Sequence, residues 1–315
     1  MQVGITGASG VLGSYLASLI AKEASCAPVR VNIRNSECGL PRELSTRGNM
    51  EVRSGDLLDP HYCNDFVSDL DAVIHCANVG VPLGSDHLAA NILPTNSLMA
   101  ANIIHAAMSS GKTPHLIFTS SAGAVYQQRD DKGAKPFVED DPCRPTSFYG
   151  ISKLQSEQSF QLATERRWLD ATILRITNLF GARVSDDRMQ GLVDVAVGRA
   201  LKSKPVIVRG SLENIRDYVH ISDVAKAILS IVICRERLVG VYNVSSGIGY
   251  SVDEVLKMVQ RAVGKPVQLD LSANKEARPE LPLYAVACSE KLQKAIGWRA
   301  QVSLADGIKK LVLNE

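Results

Sequence analysis

The chain has 315 residues, 45% of them apolar, and its 35 basic and 33 acidic side chains are mixed along the sequence for a formal charge of +2. That length supports one large α/β domain with a smaller one appended, and without a basic block or stripe the charge pattern excludes a nucleic-acid binder or a membrane-surface protein. The seven cysteines are odd in number, form no CxxC pair and stand at no zinc-ligand spacing with histidine, which argues against a metal site and for free thiols in a reducing cytoplasm.

The first element is a strand over residues 3–6, entered directly from Met1 and Gln2 with no basic n-region or leader core ahead of it. A helix follows over 11–23, then strands over 29–34, 50–53 and 72–76, with a helix over 60–67 between the last two. Apolar residues recur at helical spacing over 88–110, a strand follows over 115–120, a helix over 155–167 and a strand over 171–176. Repeated strand–helix units specify a parallel sheet covered on both faces, and right-handed crossovers make the doubly wound Rossmann arrangement the expected one. After Gly181 the rhythm loosens. Helices are expected over 191–202, 223–234 and 253–263, and short strands over 205–208 and 241–244. This half reads as a smaller substrate-binding domain, 181–315, partly interleaved with a dinucleotide-binding domain, 1–180. The uncharged run 227–234 is too short to cross a bilayer.

Gly7-Ala8-Ser9-Gly10-Val11-Leu12-Gly13 stands between the first strand and the first helix. Glycines there let the backbone turn sharply and approach a pyrophosphate, whose charge rests on the helix N-terminus. Gly7, Gly10, Val11, Leu12 and Gly13 are therefore candidate cofactor ligands. An acidic residue at the end of the second strand would hold the adenosine ribose, and an arginine accommodates a 2′-phosphate. This chain has Arg34-Asn35 at that point, which favours NADP(H), with NAD(H) the other option. Asp56-Leu57, after the third strand, is placed on the adenine side, although a loop aspartate also serves as a helix cap.

Tyr149 and Lys153 lie four residues apart in Phe148-Tyr149-Gly150-Ile151-Ser152-Lys153, side by side on one helix face. A phenol titrates near pH 10 in water. A neighbouring ammonium and an oxidised nicotinamide both favour phenolate, so the expectation is a lowered pKa and a base able to take a proton from a sugar hydroxyl. The strand end Thr119-Ser120-Ser121 supplies a hydroxyl for the reacting oxygen, with Ser121 preferred and Ser120 next.

Taken together, the TGASGVLG opening, GDLLD at 55–59, His75-Cys76-Ala77, Asn96, the SSAGAVY run, FYGISK, LRITNLFG at 174–181, RDYVHISDV at 216–224, Tyr242-Asn243-Val244, Arg278-Pro279 and Gly297-Trp298 resemble the extended short-chain dehydrogenase/reductase family, in particular its nucleotide-sugar epimerases, dehydratases and reductases. The resemblance covers essentially the whole chain. It implies a Ser121–Tyr149–Lys153 catalytic triad, Lys153 also on the nicotinamide ribose, and Ala77 and Asn96 in the cofactor cleft. It further implies Asn178 on the substrate diphosphate, clamped by Arg216 and Arg278; arginine forks suit phosphate oxygens independently of any family. Read without the family, Arg216 is equally a salt-bridge partner of Asp217 or Asp223.

Three departures narrow the chemistry. Ala122-Gly123-Ala124 lengthens the serine-to-Val-Tyr spacing by one residue, which leaves the choice of serine open. The Asp-Glu pair with which family 4,6-dehydratases drive elimination is replaced by small apolar residues. Gly123 and Arg183 stand where enzymes epimerising C3 and C5 carry Cys and His. What remains is hydride transfer at hexose C4, by a 4-ketoreductase or a 4-epimerase acting on a nucleotide-diphosphate sugar, with a homodimer expected by analogy. The alternatives are a short-chain reductase of an apolar ketone and a non-catalytic NADP(H)-binding redox regulator.

Overall fold

The computed structural model describes residues 1–26, 28–34, 49–80, 88–129, 135–182, 191–272 and 283–314. Its central feature is a seven-stranded sheet built from β1 (Val3–Thr6), β2 (Val29–Ile33), β3 (Met50–Ser54), β4 (Ala72–His75), β5 (His115–Ser121), β6 (Asp170–Ile176) and β10 (Gly240–Val244), in the order β10-β6-β5-β4-β1-β2-β3. The pairs β1–β2, β1–β4, β2–β3 and β4–β5 are parallel, as the alternating strand–helix rhythm predicts. The switch in order beside β1 sets the ends of β1 and β4 next to each other, the place where open α/β sheets bind ligands.

The chain forms two compact units. The first comprises Met1–Ser121, Ser147–Arg175 and Ala225–Tyr242; the second comprises Ala122–Thr146, Ile176–Val224 and Asn243–Glu315. In the first, helices α1 (Val11–Ile20), α2 (Pro60–Val67), α3 (Ala89–Ser109) and α5 (Phe148–Glu165) cover the sheet. Sequence chemistry fixes several of their starts. Asp59 caps α2 by accepting from the His61 amide, with Pro60 at the first helical position. Ser147 caps α5 by accepting from the Gly150 amide, so the helix begins seven residues before the expected 155 and takes in Tyr149 and Lys153. A core of Phe66, Leu70, Ile103, Phe118, Phe160 and Ile173 fills the space beneath α2, α3 and α5.

In the second unit, β9 (Ile215–His220) pairs with β7 (Asn178–Phe180), β11 (Gly249–Ser251) and β13 (Tyr284–Ala285). Helices α6 (Leu192–Leu201), α8 (Val252–Val263) and α10 (Leu304–Leu313) enclose a second core of Phe180, Val197, Val255, Val259 and Ile308. A Ser251/Glu254 capping box opens α8 and Gly264, in the left-handed region, closes it. The remaining elements are the short α4 (Ala122–Val125), α7 (Ile221–Ile233), β8 (Val206–Ile207), which pairs with β12 (Leu269–Asp270), and α9 (Glu290–Ile296).

Two expectations change. The strand near 241–244, grouped by the loosened rhythm with the smaller domain, is the edge strand of the large sheet. The helix expected over 11–23 ends at Ile20, and a 3-10 turn over Ala24–Cys26 follows. Six described cysteines (Cys26, Cys63, Cys76, Cys143, Cys234, Cys288) are free thiols. Among the described residues no group of three metal-ligating side chains forms, and no helix is long and apolar enough to cross a membrane.

Candidate active site

The glycine loop is shaped by steric necessity. Gly7 has φ +68°, and a Cβ there would stand 2.6 Å from the Ala77 amide nitrogen; a Cβ on Gly13 would run into the Gly7 carbonyl. These contacts let β1, α1 and the chain leaving β4 approach backbone to backbone. Gly10 occupies the N-cap of α1 without a side-chain cap, so the first-turn amides of Val11 and Leu12 receive no protein side chain there. An uncapped helix N-terminus against exposed backbone fits a dinucleotide pyrophosphate. Thr6 Oγ1 braces the cradle, meeting His75 Nδ1 at 2.7 Å and accepting from the Ala77 amide at 3.3 Å. Burial, with Lys153 nearby, lowers the His75 pKa to about 3 and leaves the ring neutral.

The other expected cofactor residues divide by environment. Arg34 is exposed at the end of β2, and Asn35 lies outside the described residues. Asp56 is exposed and accepts from the Leu58 amide at 3.0 Å, the cap-like alternative for a loop aspartate. Leu57 is buried in the core, and its carbonyl accepts from Asn102 at 2.9 Å. Asn96 is buried with both ends of its amide engaged: Oδ1 accepts from the Val79 amide, and Nδ2 donates to the Val79 carbonyl and to Ser152. It fastens the segment after β4 to α3 and α5.

At the ends of β5 and α5 the catalytic candidates meet. The Ser121 hydroxyl hydrogen-bonds the Tyr149 phenol. Lys153 is buried, with Nζ 5.7 Å from the Tyr149 ring centroid, 4.9 Å from that of Phe118, and donating to the Thr119 carbonyl at 2.8 Å. The sequence leads to a lowered phenol pKa, and here the structure corrects it. Burial pushes Tyr149 up to about 12, and only the Ser121 hydrogen bond works against it. The charged form loses more by desolvation than the protein's own groups return. Burial also lowers Lys153 to about 8, with Cys76 and Glu157 opposing. Sequence reasoning missed Glu157. It is buried on α5, accepts from the Ser120 hydroxyl and pairs with Arg175 of β6 at 2.8 Å. The only signal was its position, four residues after Lys153 in one helix.

In the second unit, Asn178 donates to the Asp217 carbonyl at 2.8 Å, tying β7 to β9. Arg216 is half-buried on β9 and donates to its neighbour's carbonyl at Ile215. Neither carboxylate proposed as its partner takes it. Asp217 accepts from Ser246 N and Oγ, Gly247 N, Thr177 Oγ1 and Ala287 N. Asp223 accepts from the amides of Gln301 and Val302. Among the described residues Arg216 therefore keeps an unneutralised guanidinium. Arg278 lies outside the described residues.

Comparison with known proteins bears on the family. The family model described as "NAD dependent epimerase/dehydratase family" matches residues 3–245. UDP-glucose 4-epimerase of Yersinia pestis is 31% identical, covering 96% of this chain and 94% of that protein. dTDP-4-dehydro-6-deoxyglucose reductase of Escherichia coli is 27% identical, covering 62% of this chain and 60% of that protein. The structure of Thermus thermophilus UDP-glucose 4-epimerase in complex with NAD superposes with a TM-score of 0.87 at 28% identity, covering 99% of this chain and 98% of that one. A parallel Rossmann sheet, a glycine cradle at its switch point, a hydroxyl–phenol–ammonium cluster beside it and a family match over most of the sequence lead to one conclusion: the chain belongs to the NAD-dependent epimerase/dehydratase family, within the extended short-chain dehydrogenases/reductases.

Proposed function

We propose that the chain is an NAD(P)-dependent oxidoreductase of nucleotide-diphosphate sugars acting at hexose C4. The observation that carries this reading is the Tyr149 phenol, hydrogen-bonded by Ser121 and flanked by the Lys153 ammonium in the unit that holds the glycine cradle. Gly7, Gly10, Val11, Leu12, Gly13 and Ala77 hold the dinucleotide, together with Arg34, Asp56, Leu57, Asn96 and Lys153. Bound NAD(P) supplies the hydride acceptor and donor. Tyr149 takes the proton of the C4 hydroxyl when the sugar is oxidised and returns one when a C4 carbonyl is reduced. Ser121 donates to the reacting oxygen and steadies its charge. Lys153 beside the phenol holds the nicotinamide ribose, and the charge of an oxidised nicotinamide would favour the phenolate that burial opposes. Asn178, Arg216 and Arg278 are the proposed ligands of the sugar-nucleotide diphosphate, and Arg216, which has no carboxylate partner among the described residues, suits that anion.

The relatives named above make C4 epimerisation the first reading, while Arg34 favours a ketoreductase drawing on NADPH. An arginine in place of a ribose-binding acid accommodates a 2′-phosphate. One experiment separates them. UDP-glucose and a dTDP-4-keto-6-deoxyhexose are each incubated with NADPH or NADH, with absorbance and product stereochemistry followed. A C4-inverted sugar without net oxidation marks the epimerase, and NADPH consumption by the keto sugar marks the reductase. Absence of both, in protein that binds dinucleotide, refutes the reading.

A homodimer is part of the proposal. The solvent-facing stripe of α3 runs through Asn91, Pro94, Leu98, Ala101, His105 and Met108, and that of α5 through Phe148, Ile151, Gln155, Gln158 and Leu162. The helices pack side by side in the first unit, and neither stripe carries a formal charge at neutral pH with histidine uncharged. The free thiols support placing the protein in the cytoplasm.

A further inference from the structure

Beneath the proposed site lies a buried ion pair that the reaction does not use. Glu157 is fully buried, and its carboxylate accepts from Arg175 Nε at 3.2 and 3.1 Å and from Nη2 at 2.8 Å. The same carboxylate accepts from the Ser120 hydroxyl. A hydroxyl has one proton to donate. Ser120 spends it on Glu157, and it is Ser121 whose hydroxyl meets Tyr149.

Three successive residues of β5 are thereby fixed. Thr119 Oγ1 donates to the His75 carbonyl at 3.1 Å while its own carbonyl accepts from Lys153. Ser120 is held by Glu157, and Ser121 by Tyr149. Glu157 also stands one helical turn beyond Lys153 on the same face of α5. A buried ion pair is poor evidence for stability, because desolvation offsets most of its attraction. Placement next to the reacting group gives this one a different use.

We propose that Glu157, itself held by Arg175, is a positioning residue for Ser121, Tyr149 and Lys153: it draws Ser120 aside so that Ser121 serves the phenol, and its charge keeps Lys153 an ammonium. The inference rests on those three residues being the reacting group. The groups that face Lys153 are His75 and Cys76 from the end of β4, Phe118 and the Thr119 carbonyl from β5, and Tyr149 and Glu157 from α5. Burial leaves His75 neutral, and it pushes the Cys76 thiol and the Tyr149 phenol each up to about 12, so both keep their protons. Glu157 is then the formal anion of the set, opposing the burial that lowers Lys153.

The test titrates Lys153 directly, by NMR of protein carrying isotope-labelled lysine, with the signal assigned through Lys153→Met. In Glu157→Gln the Lys153 midpoint falls by about half a pH unit or more, since a nearby anion stabilises the ammonium. The double variant Glu157→Met/Arg175→Met leaves no unpaired buried ion, which guards against misfolding, and its midpoint falls in the same direction. A midpoint identical in parent, Glu157→Gln and the double variant overturns the proposal. The titration needs no substrate, so its failure is distinct from failure of the functional reading, which full turnover by Tyr149→Phe would reveal.

Discussion

Glu157 in the first compact unit meets a guanidinium, whereas the partners of Asp217 among the described residues are N–H and O–H groups, although both carboxylates are fully buried. In the first unit the Arg175 guanidinium is paired inside the fold, and the neighbouring reacting group is surrounded by fixed partners. In the second, the carboxylate is satisfied by serine, threonine and main-chain donors from three segments, and the adjacent Arg216 has no carboxylate partner among the described residues. Two ways of solvating a buried anion thus produce two surroundings: in one the anion is matched by a guanidinium within the fold, and in the other it is met by neutral donors, which leaves the adjacent Arg216 without a carboxylate partner among the described residues.

The comparison breaks first at Tyr149. Tyr149→Phe removes the proton carrier and leaves the packing, so turnover falls about 100- to 10,000-fold with an unchanged melting temperature; near-parent rates in steady-state assays would defeat the assignment. The next effect belongs to the second unit. Arg216→Ala raises the KM for a nucleotide-diphosphate sugar about 10- to 100-fold, as expected for loss of a charge-assisted hydrogen bond, and affects kcat less. Unchanged kinetics would point instead to an apolar ketone as substrate.

The smallest effect is a matter of pH. Burial outweighs the hydrogen bonds of Asp217 and holds its pKa above the ordinary 3.8. The folded chain therefore binds that proton more tightly than the unfolded one. This contribution is complete below 3.8 and is lost as pH rises through the folded value. Asp69 in the first unit runs the other way, because Arg30 holds it below its ordinary value and its contribution is lost on acidification. Asp217→Asn, which sets an amide donor against N–H and O–H donors in place of an acceptor, costs about 1–3 kcal/mol near pH 4. The gap in melting temperature from the parent narrows toward neutrality. A gap that widens would place the Asp217 pKa on the wrong side.

The glycine loop, Tyr149, Lys153 and the parallel sheet were legible in the sequence because each depends on local spacing: a strand-to-helix junction, an i/i+4 pair, repeated strand–helix units. Glu157–Arg175 was not, since nothing within either segment says that α5 and β6 bring them together. The direction of the Tyr149 shift also escaped, because burial is a tertiary quantity and outweighed the charge that sequence proximity suggested. Strand β9 was missed because the adjacent charges Arg216 and Asp217 hide its alternation, and β10 was assigned to the smaller domain because chain order does not reveal which sheet a late strand joins.

The edge position of β10 carries a consequence for how the gene could be cut. A piece ending near residue 180 keeps every glycine, serine and tyrosine of the site, yet it leaves β6 with one flank of main-chain donors and acceptors unpaired. An apolar strand bared in that way is a template for other chains, so such a piece would clump rather than stand as a minimal dinucleotide binder.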